Sequence, residues 1–238
     1  MSLVSGPVLL CERELGGILS HSVTLLATLD DLLKEAAVEL SDVLMFAVAS
    51  GPGSFTGLRI GISTVKAFGA TLGRPCVGVP TMHAFAGLTG PSVATLVMLP
   101  AGRGEVFAQI LSVSEEGSIS ELTRAVHLPP QSVIESLAPY RNLLITGPAA
   151  FENVESIKNM ASRLNICIVE NGDSSHQYAV EEKWTLAPQT KIVSNSVAAI
   201  AYNNYQSRDF APAEDISPIY VRASDPELKT LCPESNTF

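Results

Sequence analysis

Ser50-Gly51-Pro52-Gly53-Ser54-Phe55-Thr56-Gly57-Leu58-Arg59-Ile60-Gly61 follows directly on the apolar run Val43 to Ala49. A β-rich run that ends in a Gly/Pro turn and passes at once into helical spacing reads as strand, tight loop and helix. That junction is where α/β proteins usually keep their function. The glycines admit two readings. They bare backbone N–H groups to a phosphate at the helix N-terminus, or they let this helix approach another closely. Spacing opposes the first. A P-loop needs G-x-x-x-x-G-K-[ST], whereas the sixth residue from Gly51 is Thr56 and no Lys-Ser/Thr pair follows. The dinucleotide fingerprint G-x-G-x-x-G fails at the same residue, with Gly57 one position late. Gly57, Gly61 and Gly69 fall near one stripe of the helix. A mid-helix glycine costs about 1 kcal/mol against alanine, so three in one helix indicate close packing.

The rest of the composition agrees with a chain that buries more than its own core. Charged residues make up 16% of the 238 and mean hydropathy is +0.26, against about 25% charged in an average soluble protein. An obligate partner surface is the expectation. The longest apolar runs, such as Val93 to Leu99, fall far short of a membrane span. No basic n-region with a following apolar h-region opens the chain, so no secretory leader is expected. Net charge is −9, with Lys and Arg scattered singly, the opposite of the basic face that nucleic-acid binding requires. Cys11, Cys76, Cys167 and Cys232 form no C-x-x-C pair. They read as small buried hydrophobes of a reducing compartment rather than metal ligands.

Working outward, the chain falls into two halves with one plan. Val8 to Arg13 and Ile18 to Val23 read as strands around a Gly16-Gly17 turn, followed by a helix from Thr24 to about Val38 with Leu25, Leu26, Leu29, Leu32, Leu33 and Ala36 at helical spacing. Then come the strand Val43 to Ala49, the glycine helix Ser54 to Leu72, a strand at Cys76 to Val79 and a helix at Thr81 to Leu88. The second half reads as strands at Val93 to Leu99, Glu105 to Val113 and Ser120 to Val126, and a helix after Pro129-Pro130. It continues with a strand at Leu143 to Thr146, a helix at Phe151 to Leu164, a strand at Ile166 to Glu170 and a helix from Ser194 to Tyr205. Asp173 to Lys191 and Asp209 to Ser217 read as connector, from their polarity and prolines. Two copies of βββαβαβα describe paired ribonuclease-H-like lobes, the actin-like ATPase and sugar-kinase architecture, here 1–90 and 91–238. The first copy lacks its opening strand. That strand is central to its sheet, so its loss is expected to lower stability and to press the N-terminal residues into substitute pairing.

The stretch Gly51 to Gly61, with Lys66-Ala67, Leu72-Gly73-Arg74-Pro75 and Val77-Gly78-Val79, resembles the signature of the bacterial TsaB family, also called YeaZ. His21-Ser22 with Leu25 to Leu33 resembles that family's first helix. Arg103-Gly104-Glu105-Val106-Phe107 resembles its Arg-Gly-Glu-Val-Tyr strand, and Pro218-Ile219-Tyr220-Val221-Arg222 its C-terminal Pro-x-Tyr-x-Arg. The resemblance runs from about Val8 to Pro226. The sequence departs from the family in the missing opening strand with its Asp-Thr-Ser-type turn, and in Pro100-Ala101-Gly102 where Asp-Ala-Arg is usual. The resemblance implies a cytoplasmic, non-catalytic subunit in making N6-threonylcarbamoyladenosine on ANN-decoding tRNAs. It implies a dimer with the catalytic paralogue TsaD, with TsaE as ATPase partner and TsaC making the threonylcarbamoyl-adenylate. It also implies self-association through the first two helices, contact with tRNA only through the complex, and no cofactor of its own. The partner surface so implied comprises Leu25, Leu29, Leu32, Ala36, Gly57, Arg59, Ile60, Gly61, Thr64 and Phe68, beside the signature loop Gly51, Pro52, Gly53 and Ser54.

The competing reading is a glycoprotease-like metallopeptidase or an ATP-dependent enzyme of the same fold. The catalytic paralogue holds its metal with two histidines four apart on a helix, whereas His21, His83, His127 and His176 include no such pair. Neither H-E-x-x-H nor G-x-S-x-G occurs. Gly147-Pro148-Ala149-Ala150 stands where kinases of this fold contact nucleotide, and it offers one glycine and no acid. Ser54 reads as a helix cap. Arg59 reads as either a solvated helix residue or a charged partner contact. Leu26 and Leu33 widen the apolar stripe of the first helix beyond what one sheet needs.

Overall fold

The computed structural model describes residues 1–14, 21–170, 182–190, 192–208, 210 and 212–221. Gly6, at φ +57°, turns β1 (Ser2–Ser5) back onto β2 (Val8–Glu12), and the two pair antiparallel. Among the described residues the N-terminal strand thus pairs with β2 alone. The strand expected over Ile18–Val23 gives way to helix: His21 to Val23 open α1 (His21–Glu35), and Ile18 to Ser20 lie outside the described residues. The helix ends two residues before the left-handed Ala37, at φ +53°.

The strand–loop–helix junction forms as the sequence indicates. β3 (Phe46–Gly51) leads into α2 (Phe55–Leu72), and the chain returns as β4 (Cys76–Pro80), parallel to β3. Ser54 Oγ accepts from the Gly57 N–H at 3.3 Å and caps the helix start. Left-handed Gly73 closes its end, donating its N–H to the Gly69 carbonyl. Among the described residues no ladder joins β1–β2 to β3–β4.

After α3 (Thr81–Gly87) the second half builds one mixed seven-stranded sheet. β5 (Ser92–Gly102) and β6 (Glu105–Val113) form its antiparallel hairpin, and β9 (Leu143–Thr146) lies parallel to β5. Beyond β9 come β11 (Lys183–Leu186) and then β10 (Cys167–Glu170). β11 corrects the reading of Asp173–Lys191 as connector. Trp184 is fully buried and donates its indole N–H to the Tyr140 carbonyl at 2.8 Å, so a polar neighbourhood conceals a core strand. The strand read as Ser120 to Val126 is two, β7 (Ile119–Glu121) and β8 (Val126–Leu128), both along β6. The break is chemical: the Ile110 N–H donates to the Thr123 hydroxyl at 2.9 Å instead of to a strand carbonyl. Likewise the helix read as Phe151 to Leu164 is α5 (Pro148–Glu152) and α6 (Val154–Arg163), parted where the Asn153 amide bonds the Ala149 carbonyl at 2.8 Å. The short α4 (Pro130–Glu135) begins at Pro130, and α7 (Ser194–Ser207) ends at left-handed Arg208.

The halves exchange helices. Met82, Phe85 and Ala86 of α3 bury against Val97, Leu99, Phe107 and Leu111 of β5 and β6. In return Val197 and Ala201 of α7 bury against Val77 and Val79 of β4. The opposite face of the large sheet carries α4 to α6, around Leu96, Met98, Ile145, Ile157 and Trp184.

Candidate functional site

At the end of β3 the chain turns through Gly51, Pro52, Gly53 and Ser54, the first two buried and the last two exposed. Gly51 sits at φ +117°, and a Cβ there would lie 2.7 Å from the Ile219 carbonyl oxygen and 3.1 Å from a Leu58 methyl. Its open side is thus filled by this chain's own backbone and is not a cradle for phosphate. The Ser54 hydroxyl is engaged by the helix it caps.

The glycines of α2 answer a packing need within the chain. A Cβ on Gly61 would meet Val48 of β3 at 3.3 Å, and one on Gly69 would fall on Cys76 of β4. The close approach is to the helix's own sheet, which revises the expectation of a second helix against this stripe. Leu58 and Ile62 are buried on the same side. A second flank lies under the C-terminal segment. The Arg59 guanidinium stacks 3.9 Å over the Phe55 ring, and its Nε donates to the Tyr220 hydroxyl at 3.1 Å. Tyr220 itself stacks on Phe55 at 5.3 Å, and Lys66 Nζ donates to the Glu214 carbonyl at 2.8 Å. Arg59 is therefore exposed but not loose: Phe55 and Tyr220 both hold its guanidinium.

Away from those flanks, Gly57, Ile60, Thr64 and Phe68 are half-buried, and Phe68 stacks on Phe46 at 5.3 Å. On α1 Leu32 is core at 2% exposure, Leu25, Leu29 and Ala36 are half-buried, and Leu26 is 56% exposed. Thus α1 and α2, which touch each other, bring together residues of both helices. Leu32 and Gly61 face inward. Leu26, absent from the surface implied by the resemblance, is the most exposed large apolar side chain of α1 and α2 among the described residues. The Phe55–Arg59–Tyr220 group was also beyond sequence reasoning, because nothing in the spacing ties position 220 to position 59.

Two histidines elsewhere stand beside carboxylates. His83 Nε2 lies 3.3 Å from Glu121, and His127 Nε2 lies 2.8 Å from Glu105. Burial pushes the thiols of Cys11 and Cys76 above their ordinary pKa, and they donate to the carbonyls of Leu32 and Val65. Cys167 is half-buried, and Cys232 lies outside the described residues, as does His176. Among the described residues no cluster of three His, Cys, Asp or Glu has metal-binding geometry, and no helix is long and apolar enough to cross a membrane.

The chain is similar to several known proteins. A family model described as TsaD, tRNA N6-adenosine threonylcarbamoyltransferase, matches residues 12–154. The tRNA threonylcarbamoyladenosine biosynthesis protein TsaB of Escherichia coli is 34% identical over 132 residues, covering 54% of each chain. An uncharacterized protein of Mycobacterium tuberculosis is 37% identical over 100 residues, 42% of this chain and 46% of that one. The chain thus spans about half the length of the curated relatives it matches. Among solved structures, an uncharacterized Pseudomonas aeruginosa protein with similarity to peptidase YEAZ superposes with TM-score 0.63. It is 21% identical, with 85% of each chain covered, and so shares the fold.

Proposed function

The chain belongs to the TsaD family and, within it, to the TsaB proteins, and on that premise we propose that it is a non-catalytic subunit for N6-threonylcarbamoyladenosine modification of ANN-decoding tRNAs. It acts in the cytoplasm by dimerising with a TsaD-type catalytic subunit, with TsaE as the ATPase of the assembly, and it touches tRNA only through that complex. Its two halves, 1–90 and 91–238, are ribonuclease-H-like lobes of the actin-like ATPase and sugar-kinase plan.

The observation that carries this reading is the joint face of α1 and α2. Leu26 stands in solvent beside half-buried Leu25 and Leu29, and Arg59 is pre-set by Phe55 and Tyr220. An exposed leucine on one helix and an ordered arginine on the helix it touches are residue types that protein–protein contacts favour. Ile60, Thr64 and Phe68 lie on the same helix and flank it. A net charge of −9 supports the indirect role toward tRNA. The hydrogen bond between His83 and Glu121 supports a structural role for that histidine. The same face serves self-association when the catalytic partner is absent.

The test is binding and activity together. Leu26→Glu, folded by circular dichroism, is compared with wild type for sedimentation with TsaD and for support of tRNA modification. Loss of both agrees with the assignment. Retention of both places the contact elsewhere.

A further inference from the structure

Two strand ends in this chain carry a similar sequence, Ser50-Gly51-Pro52 at the end of β3 and Thr146-Gly147-Pro148 at the end of β9, the Gly51–Pro52 peptide being cis. Both glycines are left-handed, at φ +117° and +97°. Each is pressed onto a neighbouring main chain. A Cβ on Gly147 would lie 3.1 Å from the backbone nitrogen of Met98 and 3.0 Å from its carbonyl carbon. Met98 belongs to β5, and it follows the pair Val97–Thr146 in the parallel register, so it is the residue opposite Gly147. A Cβ on Gly51 would lie 3.3 Å from the backbone nitrogen of Ile219 and 2.7 Å from its carbonyl oxygen. Ile219 lies in no strand, yet its N–H donates to the Ser50 carbonyl at 2.7 Å. Ile219 therefore stands to Gly51 as Met98 stands to Gly147.

We propose that residues 217–221 dock as a strand on the edge of β3 that β4 leaves free, in the place β5 holds beside β9, and act as a latch that closes the N-terminal sheet. Among the described residues β3 has a ladder only with β4, so this edge accepts an added extended segment. The latch is seated at both ends. Ile216 enters the cluster of Ile62 and Cys76, where one of its methyls lies 3.0 Å from the place of a Cβ on Gly78. Val221 packs against the separate cluster around Met82 and Phe107. Between them the Ile219 side chain is exposed, so it is the backbone that is recognised, as in strand addition. Tyr220 ties the latch to the first turn of α2 through Phe55 and Arg59. Docking of the latch thereby sets the pose of Arg59 on the partner face. That last coupling rests on the function proposed above; the docking itself does not.

Hydrogen exchange on the full chain, with no partner present, tests the docking alone. The wild-type Ile219 amide is expected to be protected. Ile219→Pro keeps the segment extended but removes the donor, and should speed exchange over residues 49–59 about tenfold, the scale of one ordinary hydrogen bond. Ile219→Ala retains the donor and should leave that protection in place, with β9 unchanged in both variants. A wild-type Ile219 amide exchanging at the rate of an unstructured peptide overturns the latch, as does identical exchange in the proline and alanine variants. Should Ile219→Pro also release β9, which marks global unfolding, Tyr220→Ala decides. It leaves every backbone group in place, so faster exchange at Ile219 with β9 intact supports the latch and unchanged exchange refutes it.

Discussion

Replacing Gly69 by alanine puts a methyl group where β4 already stands. The added carbon falls on Cys76 and lies 3.0 Å from the Arg74 carbonyl oxygen. Cys76 is buried, and its thiol already donates to the Val65 carbonyl at 3.3 Å, so relief requires β4 or the helix to move. Overpacking of this kind costs about 1–3 kcal/mol, while alanine gains about 1 kcal/mol in helix propensity. The net expectation is a loss of up to about 2 kcal/mol. Gly57 provides the contrast. A Cβ there meets only Ser54 at 3.4 Å, ordinary contact, so Gly57→Ala should gain about 0.5–1 kcal/mol. Gly61, with a single contact to Val48 at 3.3 Å, should fall between. In a chain of this length 1 kcal/mol moves the melting midpoint by about 2–4 °C. Thermal unfolding followed by circular dichroism should therefore rank Gly57→Ala above Gly61→Ala above Gly69→Ala, with several degrees between the extremes. If Gly69→Ala melts with Gly57→Ala, the glycine stripe is not there for the chain's own sheet and the packing argument is wrong.

Three further outcomes follow from the structure. Trp184→Phe strands the Tyr140 carbonyl and opens space at the centre of the large sheet, so it should lower stability by about 1–3 kcal/mol in urea titration. Cys11 and Cys76 are held above the ordinary thiol value of 9.0 by burial. Below that value both states keep the proton and nothing is lost; as pH rises past it the unfolded chain ionises first, so stability should fall on the alkaline side, and Cys76→Ala should flatten part of that fall. Leu26→Glu should weaken self-association at least about tenfold in sedimentation while leaving the stability of the fold within about 0.5 kcal/mol, because the side chain lies in solvent.

Much of this was legible because local chemistry and tertiary packing agree. Ser54 caps α2, Gly73 ends it and the β3–β4 pair flanks it, all from residues within one stretch of chain. Where the reading failed, a distant partner decided. Thr123 splits a strand because its hydroxyl is taken up by Ile110 of β6. Trp184 makes a core strand of a polar stretch because the sheet offers a slot between β9 and β10. The apolar stripe of α1 marked the helix but not which of its leucines stays in solvent, since Leu25, Leu26 and Leu29 differ in burial only once β1, β2 and α2 are in place. The contact of Arg59 with Tyr220 spans 161 positions and leaves no periodic trace.

The central claim is that this chain works as a required partner and not as the catalyst. Purified TsaD and TsaE from the same organism, supplied with threonylcarbamoyl-adenylate and an ANN-decoding tRNA, should modify adenosine only when this chain is added. The Leu26→Glu variant should fail to replace it, and the chain alone should modify nothing. Equal modification with and without the chain, or transfer by the chain on its own, would contradict the account.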